Sequence, residues 1–361
     1  MKKLFVHKDI SKAKTLSTDF YTDPDYFIAT KEKIFSRCWH FVGDTSFVKE
    51  PGNCYPFTLL EGYLNEPLMF TRDKQGKVHC VSNVCTHRGN LLVDQPCKTS
   101  NIRCKYHGRL FQLDGVFHSM PEFKEVKNFP SKEDNLHQLP LEQWSNLLFT
   151  SLNKKLAAKK FLKSMIKRME WLPMDEFVYR PDLSKEYMVN AHWALYCENY
   201  LEGFHIPFVH ANLNTVIDYG NYSAELFRYS NLQIGIAKEN QVCFDLPPSS
   251  PDYGKNIAAY YFWVFPNIMF NFYPWGLSVN VVKPVSIDQT KVMFLYYVWK
   301  AEKLGTGAGA NLEKVEHEDE EVVQNVQKGI RSRFYDHGRY SVTREQGTHH
   351  FHRLISEFVN S

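Results

Sequence analysis

Cys85-Thr-His87-Arg88-Gly89 and Cys104-Lys-Tyr-His107-Gly108, with the sixteen residues Arg88 to Arg103 between His87 and Cys104, decide the fold of the front half of the chain. Each pair sits where a β segment gives way to a turn, so two facing loops present two thiolates and two imidazoles. Zinc accepts that set in tetrahedral geometry. A [2Fe–2S] centre accepts it with both Cys on one iron and both His on the other. Structural zinc fingers usually place Cys with Cys and His with His. Here each loop is mixed, with one and two intervening residues, and so delivers one ligand to each iron. The spacing favours the binuclear cluster; zinc and a non-metal arrangement remain alternatives. Gly89 and Gly108 allow close backbone approach after each pair. Mixed ligation places the expected potential within roughly −150 to +300 mV, with one electron passed at a time. Cys80 and Cys97 break the pattern and read as core or surface thiols.

Around these loops run short β segments: CYPFTLL (54–60), EPLMFTR (66–72), VHCVSNV (78–84), RLFQL (109–113) and VFHSM (116–120). Asp73-Lys-Gln-Gly76 and Asp114-Gly115 read as their hairpin turns. A small antiparallel β domain over residues 39–153 follows. Residues 1–38 read as an arm packing on the C-terminal domain, with a helix from Pro24 to Cys38, Asp23 as its N-cap and proline at the first position. Residues 154–361 read as an α+β domain. It opens with the helical AAKKFLKSMIKRMEWL (157–172) and continues to the strand-like AAYYFWVF (258–265), IMFNFY (268–273), LSVNVVKPV (277–285) and KVMFLYYVWK (291–300), which suit one larger sheet. Lys303 to Asn311 reads as a flexible connection, and a final helix runs from about Leu312 to Phe334.

Composition narrows the function. The 361 residues are 43% apolar and 23% charged, which excludes disorder as the main theme. With 43 Lys and Arg against 40 Asp and Glu, no strong field exists to recruit nucleic acid or an anionic membrane. The N-terminus lacks the apolar core of a signal peptide, and no apolar run approaches the roughly 18 residues of a membrane span. A cytoplasmic protein with its eight cysteines reduced is expected.

The second constellation lies in Glu198-Asn-Tyr-Leu-Glu202-Gly-Phe-His205-Ile-Pro207-Phe-Val-His210. On an uninterrupted helix two His five apart do not share a face. Pro207 should end or distort the helix near Ile206 and so turn His210 back toward His205, whereas Glu202 shares the His205 face. Alone, the pair reads most simply as two satisfied histidines. The last helix changes that reading. Val315, Val322, Val323, Val326 and Ile330 fall within about 60° of Asp319 on a helical wheel. Asp319 is therefore central to the buried stripe, with Glu316 at its edge and Glu318, Glu320 and Glu321 pointing sideways or outward. A carboxylate so placed should be paired or metal-bound. Two His and one carboxylate form the facial triad of non-haem Fe(II) oxygenases; an ion pair with a basic core residue is the alternative.

Taken together, IFSRCWHFVGD (34–44), PGNCY (51–55), NVCTHRGN (83–90), RCKYHGRLFQLDG (103–115), ENYLEGFHIPFVH (198–210), FPNIMFNFYPWG (265–276), EDEEVVQNVQKGIRSRFY (318–335) and HFHRL (350–354) resemble the alpha subunit of Rieske-type mononuclear non-haem iron oxygenases over nearly the whole chain. The resemblance implies a Rieske β domain joined to a helix-grip (START-like) catalytic domain with an antiparallel sheet. It places the cluster on Cys85, His87, Cys104 and His107 and the iron on His205, His210 and Asp319. It implies a homotrimer in which Glu202 links His205 to His107 of the adjacent subunit. It also implies a separate flavin- or ferredoxin-type NAD(P)H reductase as partner, with O₂ and a small organic molecule as substrates. No GxGxxG and no second cysteine cluster supplies a reductase in this chain. Many ring-hydroxylating members carry Asp at the bridge position. Glu202 resembles the branch acting on quaternary ammonium compounds, by hydroxylation or N-demethylation.

Tyr196, Tyr200, Phe204, Phe208, Trp263, Phe270, Tyr273 and Trp275 flank the site in sequence, and Asn199 lies beside it. An aromatic cage would hold a trimethylammonium group at ~2 kcal/mol when desolvated. The same rings equally suit the core of a sheet. A ring-hydroxylating dioxygenase acting on an aromatic acid is the alternative enzyme. A Rieske electron carrier, or a zinc-bearing ligand-binding protein, is the alternative of another class. His349-His350-Phe-His352 reads as surface or interface.

Overall fold

A computed structural model describes residues 1–361. The chain folds as two compact bodies, one formed by Ser36–Leu156 and the other by Met1–Phe35 together with Ala157–Ser361.

The first body is all β: β1 (His40–Asp44), β2 (Asn53–Leu59), β3 (Glu66–Arg72), β4 (Val78–Ser82), β5 (Cys97–Lys98), β6 (Ile102–Arg103), β7 (Leu110–Phe111), β8 (Phe117–Ser119), β9 (Gln138–Leu139), β10 (Leu141–Trp144) and β11 (Leu147–Thr150). These make antiparallel sheets ordered β1-β11-β10, β5-β2-β3-β4-β9 and β6-β7-β8. The β3–β4 turn closes on Asp73, whose carboxylate accepts the N–H groups of Gln75 and Lys77. Met69, Val81, Ile102, Phe111 and Leu113 pack a core that also encloses Cys85 and Cys104. All eight cysteines of the chain are free thiols. Cys80 is buried and Cys97 is exposed.

The second body contains α1 (Asp19–Thr22), α2 (Pro24–Thr30), α3 (Lys159–Arg168), α4 (Trp193–Tyr200), α5 (Ile206–Val209), α6 (Ala211–Val216), α7 (Leu312–Gly329) and α8 (Gln346–Val359). Its strands are β12 (Val178–Tyr179), β13 (Lys185–Val189), β14 (Ser223–Leu226), β15 (Ser230–Ile236), β16 (Ile257–Val264), β17 (Ile268–Tyr273), β18 (Gly276–Ser286) and β19 (Gln289–Val298). They form one antiparallel sheet ordered β12-β19-β18-β17-β16-β15-β14, with β13 also paired to β19. β17 is buried at every position, so its apolar run needs no alternation: the sheet is covered on both faces at this central strand. The whole is α+β, a β domain before a helix-grip domain. No helix is long and apolar enough to cross a membrane.

Four expectations are corrected. The arm helix stops at Thr30 and passes into a π turn over Lys31–Phe35. Asp23 does cap it, accepting from Asp25 N at 2.9 Å. The Thr30 hydroxyl donates to Phe27 O at 2.8 Å, a local bond that bends helices, and the wider turn buries Ile34 and Phe35. The connection 303–311 is not slack. Ala308 is buried, and a Cβ on Gly309 would stand 2.2 Å from Trp275 Nε1, so the small residues permit close packing. α7 ends at Gly329, leaving Phe334 exposed. Val326 faces solvent while Gln327 is buried, because Gln327 Oε1 accepts the N–H of His192 at 2.8 Å, where α4 begins. Finally, His349 and His352 are buried within α8. His349 Nε2 meets His7 O at 2.8 Å, and His352 lies between the Tyr340 hydroxyl at 2.5 Å and Glu198 at 3.0 Å. Phe351, Leu354, Ile355 and Phe358 are the apolar stripe that buries this helix.

Candidate metal centres

The two Cys-His loops have matching backbones. Gly89 donates its N–H to Cys85 O and Gly108 to Cys104 O, each at 3.0 Å. The Cys85 N–H returns to Asn90 O at 2.9 Å and the Cys104 N–H to Arg109 O at 2.8 Å. The glycines take φ of 71° and 75°, a left-handed turn that a Cβ would strain. Both thiols are buried, while the His87 and His107 rings lie 4.8 Å apart at 76°. His107 Nδ1 is buried with no hydrogen-bond partner. Such an orphaned nitrogen beside two free buried thiols fits a mixed Cys–His metal centre. Arg109, which sequence reading passed over, anchors the second loop. Its buried guanidinium pairs with Asp134 at 2.6 Å and faces the rings of Phe111, Phe117 and Phe129.

In the second body α4 ends at Tyr200, with Leu201 as its C-cap. Gly203 is required next: a Cβ there would stand 2.6 Å from the Tyr222 ring. Glu202 Oε2 accepts the N–H groups of Phe204 and His205, while its Oε1 lies 2.6 Å from His205 Nδ1. The break is therefore made at Leu201–Gly203 and not by Pro207, which sits in the first turn of α5, where proline is tolerated. At His210 the backbone leaves the helix (φ −104°, ψ 71°), and this brings His210 Nε2 to 3.1 Å from His205 Nε2.

α7 completes the group. Asp319 Oδ1 lies 3.0 Å from His210 Nε2 and 3.5 Å from His205 Nε2. Asn199 Nδ2 donates to the same oxygen at 2.6 Å. Glu318, expected to point sideways, places Oε2 2.8 Å from His210 Nδ1. Asp319 has no Lys or Arg partner; its ion-pair partners are the two imidazoles. With each Nδ1–H directed to a carboxylate, both Nε2 lone pairs face the Asp319 oxygen. That convergence repels itself unless positive charge sits within it. Burial alone would lower the His210 pKa, yet the Asp319 and Glu318 carboxylates push it up to about 9. His205 Nε2, His210 Nε2 and Asp319 Oδ1 stand 3.0 to 3.5 Å apart, close enough for one metal ion to be shared by all three.

A cavity of about 80 Å³ opens from this group. Asn199, Tyr200 and Tyr273 line it, as do Glu202, His205, His210 and Asp319. Phe204 and Phe208 do not: 41% and 80% exposed, they leave the turn on its solvent side. Trp275 is displaced too, fully buried behind Tyr273 with the rings stacked at 5.3 Å. Trp263 and Phe270 are core, and the Tyr196 hydroxyl donates to Glu316 Oε2 at 2.5 Å. Sequence proximity missed Tyr222, Tyr261, Asn271, Asn280 and Glu316, which also line the cavity. Asn271 and Asn280, polar positions inside apolar strands, were the available signal. Asn271 Oδ1 accepts the Tyr200 hydroxyl at 2.8 Å. Burial, then the Asp319 charge, pushes the Glu316 carboxyl up to about 8.

Comparison with known proteins finds relatives for both parts of the chain. Residues 38–130 match the Rieske [2Fe-2S] domain, and residues 170–361 match the ring hydroxylating alpha subunit (catalytic domain). The chloroplastic choline monooxygenase of Arabidopsis thaliana is 27% identical across 96% of this chain and 83% of that protein. The carnitine monooxygenase oxygenase subunit of Escherichia coli K12 is 26% identical across 96% of this chain and 94% of its own. Among solved structures, the quaternary ammonium Rieske monooxygenase CntA with L-carnitine superposes with a TM-score of 0.78, 22% identity and 99% coverage of each chain. Naphthalene 1,2-dioxygenase with indole gives 0.71 and 16% identity, covering 96% of this chain and 92% of that one. The chain belongs to the ring-hydroxylating alpha subunits of the Rieske oxygenases, and is an oxidoreductase whose cofactors are a Rieske [2Fe–2S] cluster and a mononuclear non-haem iron.

Proposed function

We propose that this chain is the oxygenase component of a monooxygenase acting on a quaternary ammonium compound. The observation that carries the reading is the His205–His210–Asp319 group opening onto a cavity lined by Tyr200, Tyr222, Tyr261 and Tyr273. Tyrosine faces attract a trimethylammonium group through cation–π contact. Relatives named for choline and carnitine oxidation support the choice.

In this reading Cys85, His87, Cys104 and His107 hold the cluster, while His205, His210 and Asp319 hold the iron. The cluster supplies electrons singly and the iron supplies O₂ activation. The protein's own part is orientation. Glu202 and Glu318 hold the Nδ1 protons of His205 and His210, which fixes both tautomers and aims both Nε2 atoms inward. Asn199 holds Asp319 Oδ1 through its amide, leaving Oδ2 free. The Tyr200 hydroxyl is tied to Asn271, so it is already engaged and does not compete for a polar group of the substrate. Buried Ile206, Tyr273 and Ala308 keep part of the cavity wall dry beside the C–H bond presented to the triad.

As an alpha subunit the chain takes electrons from a separate reductase or ferredoxin and uses O₂ with a small substrate. We assign the partner to the NAD(P)H-dependent flavin type, the assembly to a cytoplasmic homotrimer, and Glu202 to the link between His205 and His107 of a neighbouring subunit. Inter-subunit electron transfer has been described for CntA.

The test is O₂ uptake by iron-loaded protein with a surrogate reductase. Uptake stimulated by choline, carnitine or a betaine is the expected result. Uptake with benzoate-type or phenylpropionate-type acids alone would make the protein a ring hydroxylase.

A further inference from the structure

The cavity has an unbalanced charge. Its wall carries the carboxylates of Glu202, Glu316 and Asp319 and no Lys or Arg at all. Glu202 and Asp319 face imidazoles. Glu316 does not; its one hydrogen-bond partner is the neutral Tyr196 hydroxyl at 2.5 Å. Glu316 and Leu312 also border a second cavity of about 240 Å³, whose one cationic side chain, Lys185, is engaged by Glu313 at 2.6 Å. Glu316 thus stands in the partition between an outer chamber and the tyrosine-lined inner one. Its negative field acts on the phenols of Tyr196, Tyr200, Tyr273 and Tyr296, placing it among the rings.

A half-buried carboxylate without a cationic partner costs free energy unless it is neutralised by a proton or by a cation from outside. Its strongly raised pKa expresses the same demand. A ligand carrying a carboxylate of its own would bring a further negative group to a wall with no Lys or Arg to receive it.

Resting on the reading of the cavity as an ammonium site, we propose that Glu316 is the counter-charge of the substrate's cationic head and that the preferred substrate is a net cation lacking a carboxylate rather than a zwitterion. Tyr200, Tyr222, Tyr261 and Tyr273 then supply ring faces, and Glu316 supplies the one uncompensated charge. The specificity this creates is electrostatic: the neutral isostere loses the Coulomb attraction, and the zwitterion adds repulsion.

The test is calorimetric titration of the cluster- and iron-loaded protein with choline, its neutral carbon isostere 3,3-dimethylbutan-1-ol, glycine betaine, carnitine and benzoate. Choline should bind about tenfold or more tighter than the isostere and than either zwitterion. In Glu316→Gln the preference for choline over the isostere should shrink to within about threefold, and Glu316→Asp should restore part of it. Glycine betaine or carnitine binding as tightly as choline to the wild-type protein would overturn the proposal without recourse to any variant. An unchanged choline preference in a folded Glu316→Gln protein would overturn it equally. Binding of benzoate with no ammonium compound bound would overturn the ammonium reading itself, and this inference with it.

Discussion

Glu318 Oε2 lies 2.8 Å from His210 Nδ1, on the side of the ring opposite Asp319, so two consecutive residues of α7 grip one imidazole from both nitrogens. Consecutive helix positions differ by about 100°, and here the ring lies between the two side chains. One carboxylate sets the tautomer and the other shares the site the lone pair faces. Glu318→Gln should therefore weaken iron binding about 10–100-fold while leaving the cluster's visible absorbance intact. Chelator competition measures this, and unchanged iron affinity would leave Glu318 a surface residue.

Glu202 plays the matching part for His205, at 2.6 Å. Glu202→Gln is compared at saturating iron, with both metals loaded; its amide oxygen can still accept from the Phe204 and His205 N–H groups and so hold the turn. Single-turnover transfer from cluster to mononuclear iron should slow severalfold. Transfer at the wild-type rate with both metals bound would remove Glu202 from the route.

Gly309 is a packing requirement of the cavity's rear wall. A Cβ there would stand 2.2 Å from Trp275 Nε1 and 3.0 Å from Tyr273 Cγ. Gly309→Ala should cost roughly 1–3 kcal/mol of stability and weaken ligand binding by shifting Tyr273. An undiminished melting temperature would show that the 303–311 segment yields easily.

Legibility in the sequence followed the reach of each signal. The Cys85–His87 and Cys104–His107 loops could be read because a short spacing carries the ligand chemistry. Asp319 could be read because a charge in an apolar helical stripe is costly wherever it lies. The large sheet was visible as four apolar runs. Glu318 was misplaced because a wheel measures direction from the helix axis and ignores where a neighbouring ring reaches. Phe204 and Phe208 were assigned by nearness to His205, yet the turn at Gly203 sends them outward. Tyr222 reaches the cavity from the turn just before β14 and Tyr261 from β16, and no local pattern marks such a meeting. α8 was missed because its buried histidines masked the stripe of Phe351, Leu354, Ile355 and Phe358.

Acid should weaken the second body. Burial holds His192 at about 3 and His350 at about 4, against roughly 6.5 for an unfolded histidine. The folded pKa lies below the unfolded one. Both rings therefore contribute fully above about pH 6.5, and that stability is lost as pH falls toward 4 and below. His192 Nδ1 caps α4 by accepting from Ala194 N at 3.3 Å, a role Asn can take over. In His192→Asn the fall in stability between pH 7 and pH 5 should be shallower, as denaturant titrations at each pH will show. An unaltered slope would place the titration elsewhere.

In the proposed function His205, His210 and Asp319 hold a catalytic iron distinct from the cluster. The most direct measurement is iron per chain in fully loaded protein, compared with Asp319→Ala. Three irons are expected in the wild type and two in the variant, with the red-brown colour of the cluster in both. Two irons in the wild type, or three retained in Asp319→Ala, would contradict it.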